Sequence, residues 1–301
     1  MRARVLAFAG ILLVAGCGSG TTIHSSGGSG TLEALAQGPG LRTVALTPGD
    51  ADFAPGPVRF SFLVVAKDGR VVAKPKADVW IARGFKDKPY QRTIARLERV
   101  GVPGLDDTSL DASTIYVAEL RAPTPGTYWV LARPRGSKFS GIGNVVVGSR
   151  SYSPAVGAKA PASRTPTLAT TGGRLAPLTT AKHPDRQLYT TSVAQALAAH
   201  EPFVVTFATP KFCTSRTCGP VVDVVSYVRK QVAGSGVRFI HVEVFQGNDP
   251  AKGYNRWMRQ WKLQSEPWSF LVGRDGRIKA KFEGPVSVRE LRAAVQSMLM
   301  A

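Results

Sequence analysis

The stretch FATPKFCTSRTCGPVVDVV, residues 207–225, constrains the fold of this chain more than any other. PFVVTFAT (202–209) is an apolar run of strand length, and Val221, Val225, Val228 and Val232 then recur at the spacing of one helix face. Between the two, Gly219 and Pro220 stand just ahead of the helical run, and proline is favoured at the first helical position. Cys213 and Cys218 therefore sit where a buried strand turns into a helix. A thiol in such a place faces unpaired backbone N–H groups and the positive end of the helix dipole. Both lower its pKa below the free-cysteine value of roughly 8.5, which is the physical basis of a redox cysteine.

The third cysteine has its own context. Arg2 and Arg4 precede a short apolar core, Val5 to Val14, too short to span a bilayer comfortably. The core ends in Leu13-Val14-Ala15-Gly16-Cys17, which resembles the lipobox of bacterial lipoproteins. That resemblance implies a signal peptide over residues 1–16, cleavage before Cys17 and lipidation of its thiol. Residues 17–50, opening on GSGTTIHSSGGSG, read as a flexible tether. The chain is then expected at the cell membrane, lipid-anchored on the extracytoplasmic face, where disulfides persist. There are 39 Lys and Arg against 20 Asp and Glu, a net charge of +19. No nucleic-acid-binding motif accompanies the excess, so attraction to an anionic membrane surface is the simpler reading and nucleic acid is not an expected partner.

Residues 51–149 change to short β-like runs at regular spacing: Val58 to Ala66, Ala77 to Ala82, Thr114 to Leu120, Thr127 to Ala132 and Ile142 to Val147. The stretch PTPGTYWVLARP resembles the late hairpin of immunoglobulin-like or fibronectin-like extracellular modules. An Ig-like β-sandwich is the expected fold of this part. Asp106, Asp107 and Asp111 lack the spacing of a Ca²⁺ loop and read as a solvated loop. Residues 150–186 carry Pro154, Pro161, Pro166, Pro177 and Pro184 among Ala, Ser, Thr and Gly, without sustained periodicity, and read as a linker in which His183 is solvated.

From 187 to 301, after a short helix capped by Ser192, the pattern reads β-α-β-α-β-β-α. Asn248 or Asp249 is the expected cap of the helix carrying Trp257 and Trp261. Arg274 to Arg277 make a hairpin turn, and Ser287 with Glu290 forms a capping box for the last helix. This order resembles the thioredoxin fold. Phe212-Cys213 lies where that family has an aromatic residue and its active-site cysteine, and Cys218-Gly219-Pro220 repeats its Cys-Gly-Pro. Glu266-Pro267 precedes the third strand, where the family has a cis-proline. The whole chain thus reads as multidomain, an all-β Ig-like sandwich plus an α/β thioredoxin fold, and resembles an actinobacterial-type thioredoxin-domain lipoprotein. The resemblance implies a Cys213–Cys218 disulfide and a substrate groove lined by Pro267 and flanked by Trp268. The family's motif has two residues between its cysteines where this chain has four. Two registers stay open, with the second cysteine position falling on Val221 or on Cys218. Cys218, fixed at the helix start by Gly219-Pro220, is the expected low-pKa thiol, with Lys211 and Arg216 favouring its thiolate. The family's buried acid is missing from the strand before the motif, which offers only Thr206; Glu243 and Asp223 are the candidate substitutes.

Three functions compete. The first is a membrane-anchored thiol–disulfide oxidoreductase acting on cysteine thiols or disulfides of envelope proteins, with Cys213 and Cys218 as its catalytic pair and no cofactor or metal. The second is a non-enzymatic envelope lipoprotein or binding module in which the disulfide is structural. The third is Cu(I) handling by the two thiols, with His241 as the distant ligand; inside a strand run, His241 reads better as a satisfied core histidine.

Overall fold

The computed structural model describes residues 30–105 and 113–300. The signal peptide, Cys17, the first part of the tether and Asp106, Asp107 and Asp111 lie outside the described residues. A short helix, α1 (Leu32–Ala36), is followed by seven strands: β1 (Arg42–Pro48), β2 (Gly56–Val65), β3 (Lys76–Ala82), β4 (Gln91–Arg99), β5 (Thr114–Ala122), β6 (Gly126–Pro134) and β7 (Phe139–Val147). The stretch read as a tether thus already holds α1 and β1. In β1 the alternation of Val44 and Leu46 inward with Thr43 and Ala45 outward is that of a half-buried strand.

The seven strands do not form two facing sheets. They close into one barrel in the order β1-β2-β5-β4-β3-β6-β7. Closure comes from β3, which pairs with both β4 and β6, and from β1, which leaves β2 to run parallel to β7. Two glycines permit that last approach. A Cβ on Gly143 would stand 2.5 Å from the Leu46 carbonyl oxygen, and one on Gly141 would stand 2.9 Å from the Val64 side chain. Phe60, Phe62 and Tyr116 stack through the barrel core at 5.1 and 5.3 Å between ring centres. At the turn into β6, the Tyr128 hydroxyl donates to the Thr124 carbonyl at 2.6 Å and accepts from its N–H at 3.1 Å, which pins the corner.

The second unit contains α2 (Val193–Ala198), β8 (Phe203–Phe207), α3 (Cys218–Gln231), β9 (Arg238–Val242), α4 (Arg256–Gln260), β10 (Trp268–Val272), β11 (Ile278–Glu283) and α5 (Val288–Met300). Its sheet runs β11-β10-β8-β9, with β8 and β9 parallel and the other pairs antiparallel. Every residue of β8 and β10 is buried, as central strands covered on both faces require. One face packs Val204 and Ala208 against α3 and α5 through Val221, Val225, Leu291 and Val295. The other packs Val205, Phe207 and Phe270 against Trp261, Met258 and α2. Ser192 caps α2 in a capping box with Gln195, and Ser287 and Glu290 exchange the same bonds at α5. The cap of α4 is Asn255, whose side chain accepts from the N–H groups of Trp257 and Met258; Asp249 caps a separate 3-10 turn instead.

Residues 150–186 have little regular structure, yet they are laid onto the second unit. Lys159 bridges Arg277 at the hairpin, the Trp261 indole donates to Ser163 at 2.9 Å, and the Trp257 indole donates to the Arg164 carbonyl at 3.1 Å. The barrel docks on the same unit through buried charge. Arg59 of β2 meets Asp50 at 3.0 Å and Glu290 of α5 at 2.8 Å, and Glu98 of β4 pairs with Arg289 of α5. Glu283 accepts from the N–H groups of Ala51 and Asp52, each at 2.7 Å, and Lys281 meets Asp52 at 3.0 Å.

Candidate active site

β8 ends at Phe207, and the chain loops through Thr209 to Thr217 before α3 begins at Cys218. Arg216 turns the loop with a left-handed backbone (φ 58°), and its N–H closes onto the Cys213 carbonyl at 3.1 Å. Cys218 is fully buried in the first turn of α3, in the same apolar cluster as Val221 and Val102 of the barrel. Cys213 is half-buried in the loop. The fold brings the two close enough that the Cys218 thiol and backbone N–H both act on the Cys213 sulfur.

This arrangement separates two chemically identical side chains. The hydrogen bond from the Cys218 thiol, helped by the Ser215 hydroxyl at 3.3 Å and the Cys218 N–H, brings the Cys213 pKa down from 9.0 to about 6. Burial pushes the Cys218 thiol up, and the neighbouring Cys213 sulfur pushes it further. The low-pKa thiol is therefore Cys213, contrary to the expectation from sequence. The helix N-terminus does act on a sulfur, but the freed N–H of Cys218 points back at the residue in the preceding loop, while Cys218 itself lies in the apolar core. The chief causes of the lowering are hydrogen bonds; Lys211 is drawn 5.2 Å over the Phe212 ring.

Gly219 and Pro220 form the first turn of α3, and Pro220 is buried close to Gly101 of the barrel. The Glu266–Pro267 peptide is cis, and the Pro267 carbonyl accepts from Gly284 N–H at 2.8 Å. Trp268 borders a cleft shared with Phe53, Lys281 and Phe282, not the one that Ser215 and Thr217 line. It is 1% exposed, stacks on Phe270, meets Tyr152 edge-on, and donates its indole N–H to Ser265 at 3.0 Å. As the first residue of β10 it points into the seam beneath the barrel rather than at the thiols.

Of the proton-handling candidates, Thr206 is buried and bonded to Ser269 at 2.9 Å, and Asp223 lies on the exposed side of α3. Glu243 is buried at the end of β9, where it accepts from the Thr180 hydroxyl at 2.7 Å and leaves Oε2 without a partner. His241 has both ring nitrogens engaged, Nδ1 with the Tyr189 hydroxyl at 2.8 Å and Nε2 with the Ala208 carbonyl at 3.0 Å, and burial lowers its pKa. The sequence reading missed Glu266. Its carboxylate accepts from the Tyr254 hydroxyl at 2.6 Å and raises the pKa of both cysteines electrostatically. Its place directly before the cis-proline was the available signal.

Neither a family model nor a curated protein matches the chain. Among solved structures, a thiol:disulfide interchange protein, a thioredoxin family protein from Chlorobium tepidum TLS, is similar over 33% of this chain and 81% of its own, at 17% identity and a TM-score of 0.26. So distant a likeness carries no argument about activity. The residues themselves offer a half-exposed, low-pKa thiol backed by a buried thiol, the chemical minimum for exchange with a disulfide.

Proposed function

We propose that this chain is a thiol–disulfide oxidoreductase that acts on protein thiols through Cys213 and Cys218. The reading rests on one observation: a half-buried Cys213 in the loop ahead of α3 faces a fully buried Cys218 at the start of that helix. Cys213 thiolate attacks one sulfur of a substrate disulfide, forming a mixed disulfide and releasing the other sulfur as thiolate. Cys218 then gives up its proton, which that leaving thiolate can accept, and attacks Cys213 Sγ. The enzyme disulfide forms and the second substrate sulfur departs, so two electrons have moved from the enzyme to the substrate. The reverse sequence oxidises a dithiol substrate.

The lipobox at Cys17 and the net charge of +19 support a setting for this chemistry at the extracytoplasmic face of a membrane, lipid-anchored, with envelope proteins as substrates. The barrel would stand between the anchor and the dithiol. Two measurements test the proposal. The reduction potential of the pair should fall between about −120 and −270 mV, whereas a value well below about −300 mV would mark a structural disulfide. Cys218→Ser should accumulate a stable mixed disulfide with substrate through Cys213, and Cys213→Ser should accumulate none. Trapping through Cys218 instead would reverse the assigned roles.

A further inference from the structure

The barrel does more at this end of the molecule than dock. A cleft of about 310 Å³ lies between the two units, at the low end of the roughly 300–1,000 Å³ range of small-ligand pockets. One wall is the loop between the cysteines, through Ser215 and Thr217, and Ser215 Oγ is itself 3.3 Å from Cys213 Sγ. The barrel contributes a mainly aliphatic wall, Leu63 of β2, Val100 after β4 and Ile115 of β5, with Thr47 and Thr114 beside them. Glu266, next to the cis-proline, lines the same space.

The charge of this cleft is opposite to that of the chain around it. In a sequence with a net charge of +19, its lining holds two carboxylates, Glu266 and Glu283, and no Lys, Arg or His. Glu283 is fully occupied by the Ala51 and Asp52 N–H groups and the Ser265 and Tyr152 hydroxyls. Glu266 has one oxygen on Tyr254 and no other described hydrogen bond. An aliphatic wall ending at a carboxylate suits a side chain with an apolar stem and a cationic head, and disfavours an anionic one.

We infer that the barrel completes the substrate site, and that the cleft takes a lysine or arginine side chain adjacent to the reactive cysteine of a protein substrate. The stem would lie on Leu63, Val100 and Ile115, and the cationic head would reach Glu266. This inference rests on the dithiol reading above and adds the substrate class to it.

The test is single-turnover reduction, by the full reduced chain, of three peptide disulfides identical except for Lys, Leu or Glu beside the cysteine. 2-Hydroxyethyl disulfide serves as the small reference. The Lys peptide should react fastest and exceed the Glu peptide by about tenfold, the worth of one charge-assisted contact. In Glu266→Gln the Lys-to-Glu ratio should fall to about twofold. Because the ratio is taken within one variant, it cancels any change in the thiols. Thr114→Trp, which fills the cleft from the barrel side, should lower the Lys-peptide rate relative to 2-hydroxyethyl disulfide by about tenfold. Equal rates for the three peptides in the unsubstituted chain, or ratios unmoved in both variants, would overturn the inference. Absence of exchange with every disulfide, the small one included, would overturn the dithiol reading instead.

Discussion

Cys213 and Cys218 differ in environment rather than in chemistry, and the difference has a readable sign. Hydrogen bonds stabilise the Cys213 thiolate, so its titration moves from 9.0 down to about 6, while burial holds Cys218 protonated. Alkylation of the reduced chain by iodoacetamide should therefore rise with pH through about 6 and level off above it, with the label on Cys213. A midpoint near the ordinary thiol value would refute the assignment. From sequence, the strand–helix junction was enough to find both cysteines, because helix start signals are local. Which sulfur becomes the thiolate was not legible. It depends on how the loop from Thr214 to Thr217 folds back, with Arg216 in a left-handed turn, and on burial contributed by Val102 from a distant part of the chain. Trp268 was misplaced for a related reason: adjacency to Pro267 says nothing about which side of β10 is covered by the barrel.

Among the elements, those with strong periodicity were legible and those with charged faces were not. β4 reads QRTIARLER, and its exposed Arg92, Arg96 and Arg99 obscure Ala95, which faces the barrel core, and Glu98, which is buried against α5. β1 lay in a stretch whose Gly/Ser-rich opening suggested a tether throughout. Closure of the barrel was invisible because it depends on what Gly141 and Gly143 lack. Gly143→Ala should force β1 off β7, since the new methyl would meet backbone at 2.5 Å rather than a side chain that can swing away. The expected cost is about 1–3 kcal/mol, the usual range for overpacking. Urea denaturation checks it, and an unchanged midpoint would mean that β1 yields without loss.

For the whole molecule, the seam between barrel and dithiol unit decides how stability responds to acid. Burial raises the Asp50 pKa from 3.8 to about 6 despite the Arg59 guanidinium and the Ser61 hydroxyl beside it. A folded-state pKa above the unfolded one means that the native state binds the proton more tightly. The contribution of Asp50 is thus fully present below about 3.8 and lost as pH rises through about 6. The stability difference between the unsubstituted chain and Asp50→Asn should accordingly move in favour of the former on acidification across that window, by at most about 3 kcal/mol. A difference that stays constant with pH would refute the raised pKa. The seam also carries an orientation code. Arg59 of the barrel meets Glu290, while Glu98 of the barrel meets Arg289, so adjacent positions on α5 present opposite signs to opposite signs. A barrel turned half a revolution would set like against like. Grafting this barrel onto another dithiol unit, or this unit beneath another barrel, would therefore require both pairs to travel together, and reversing one pair alone would leave a chimaera that recognises its own joint as foreign.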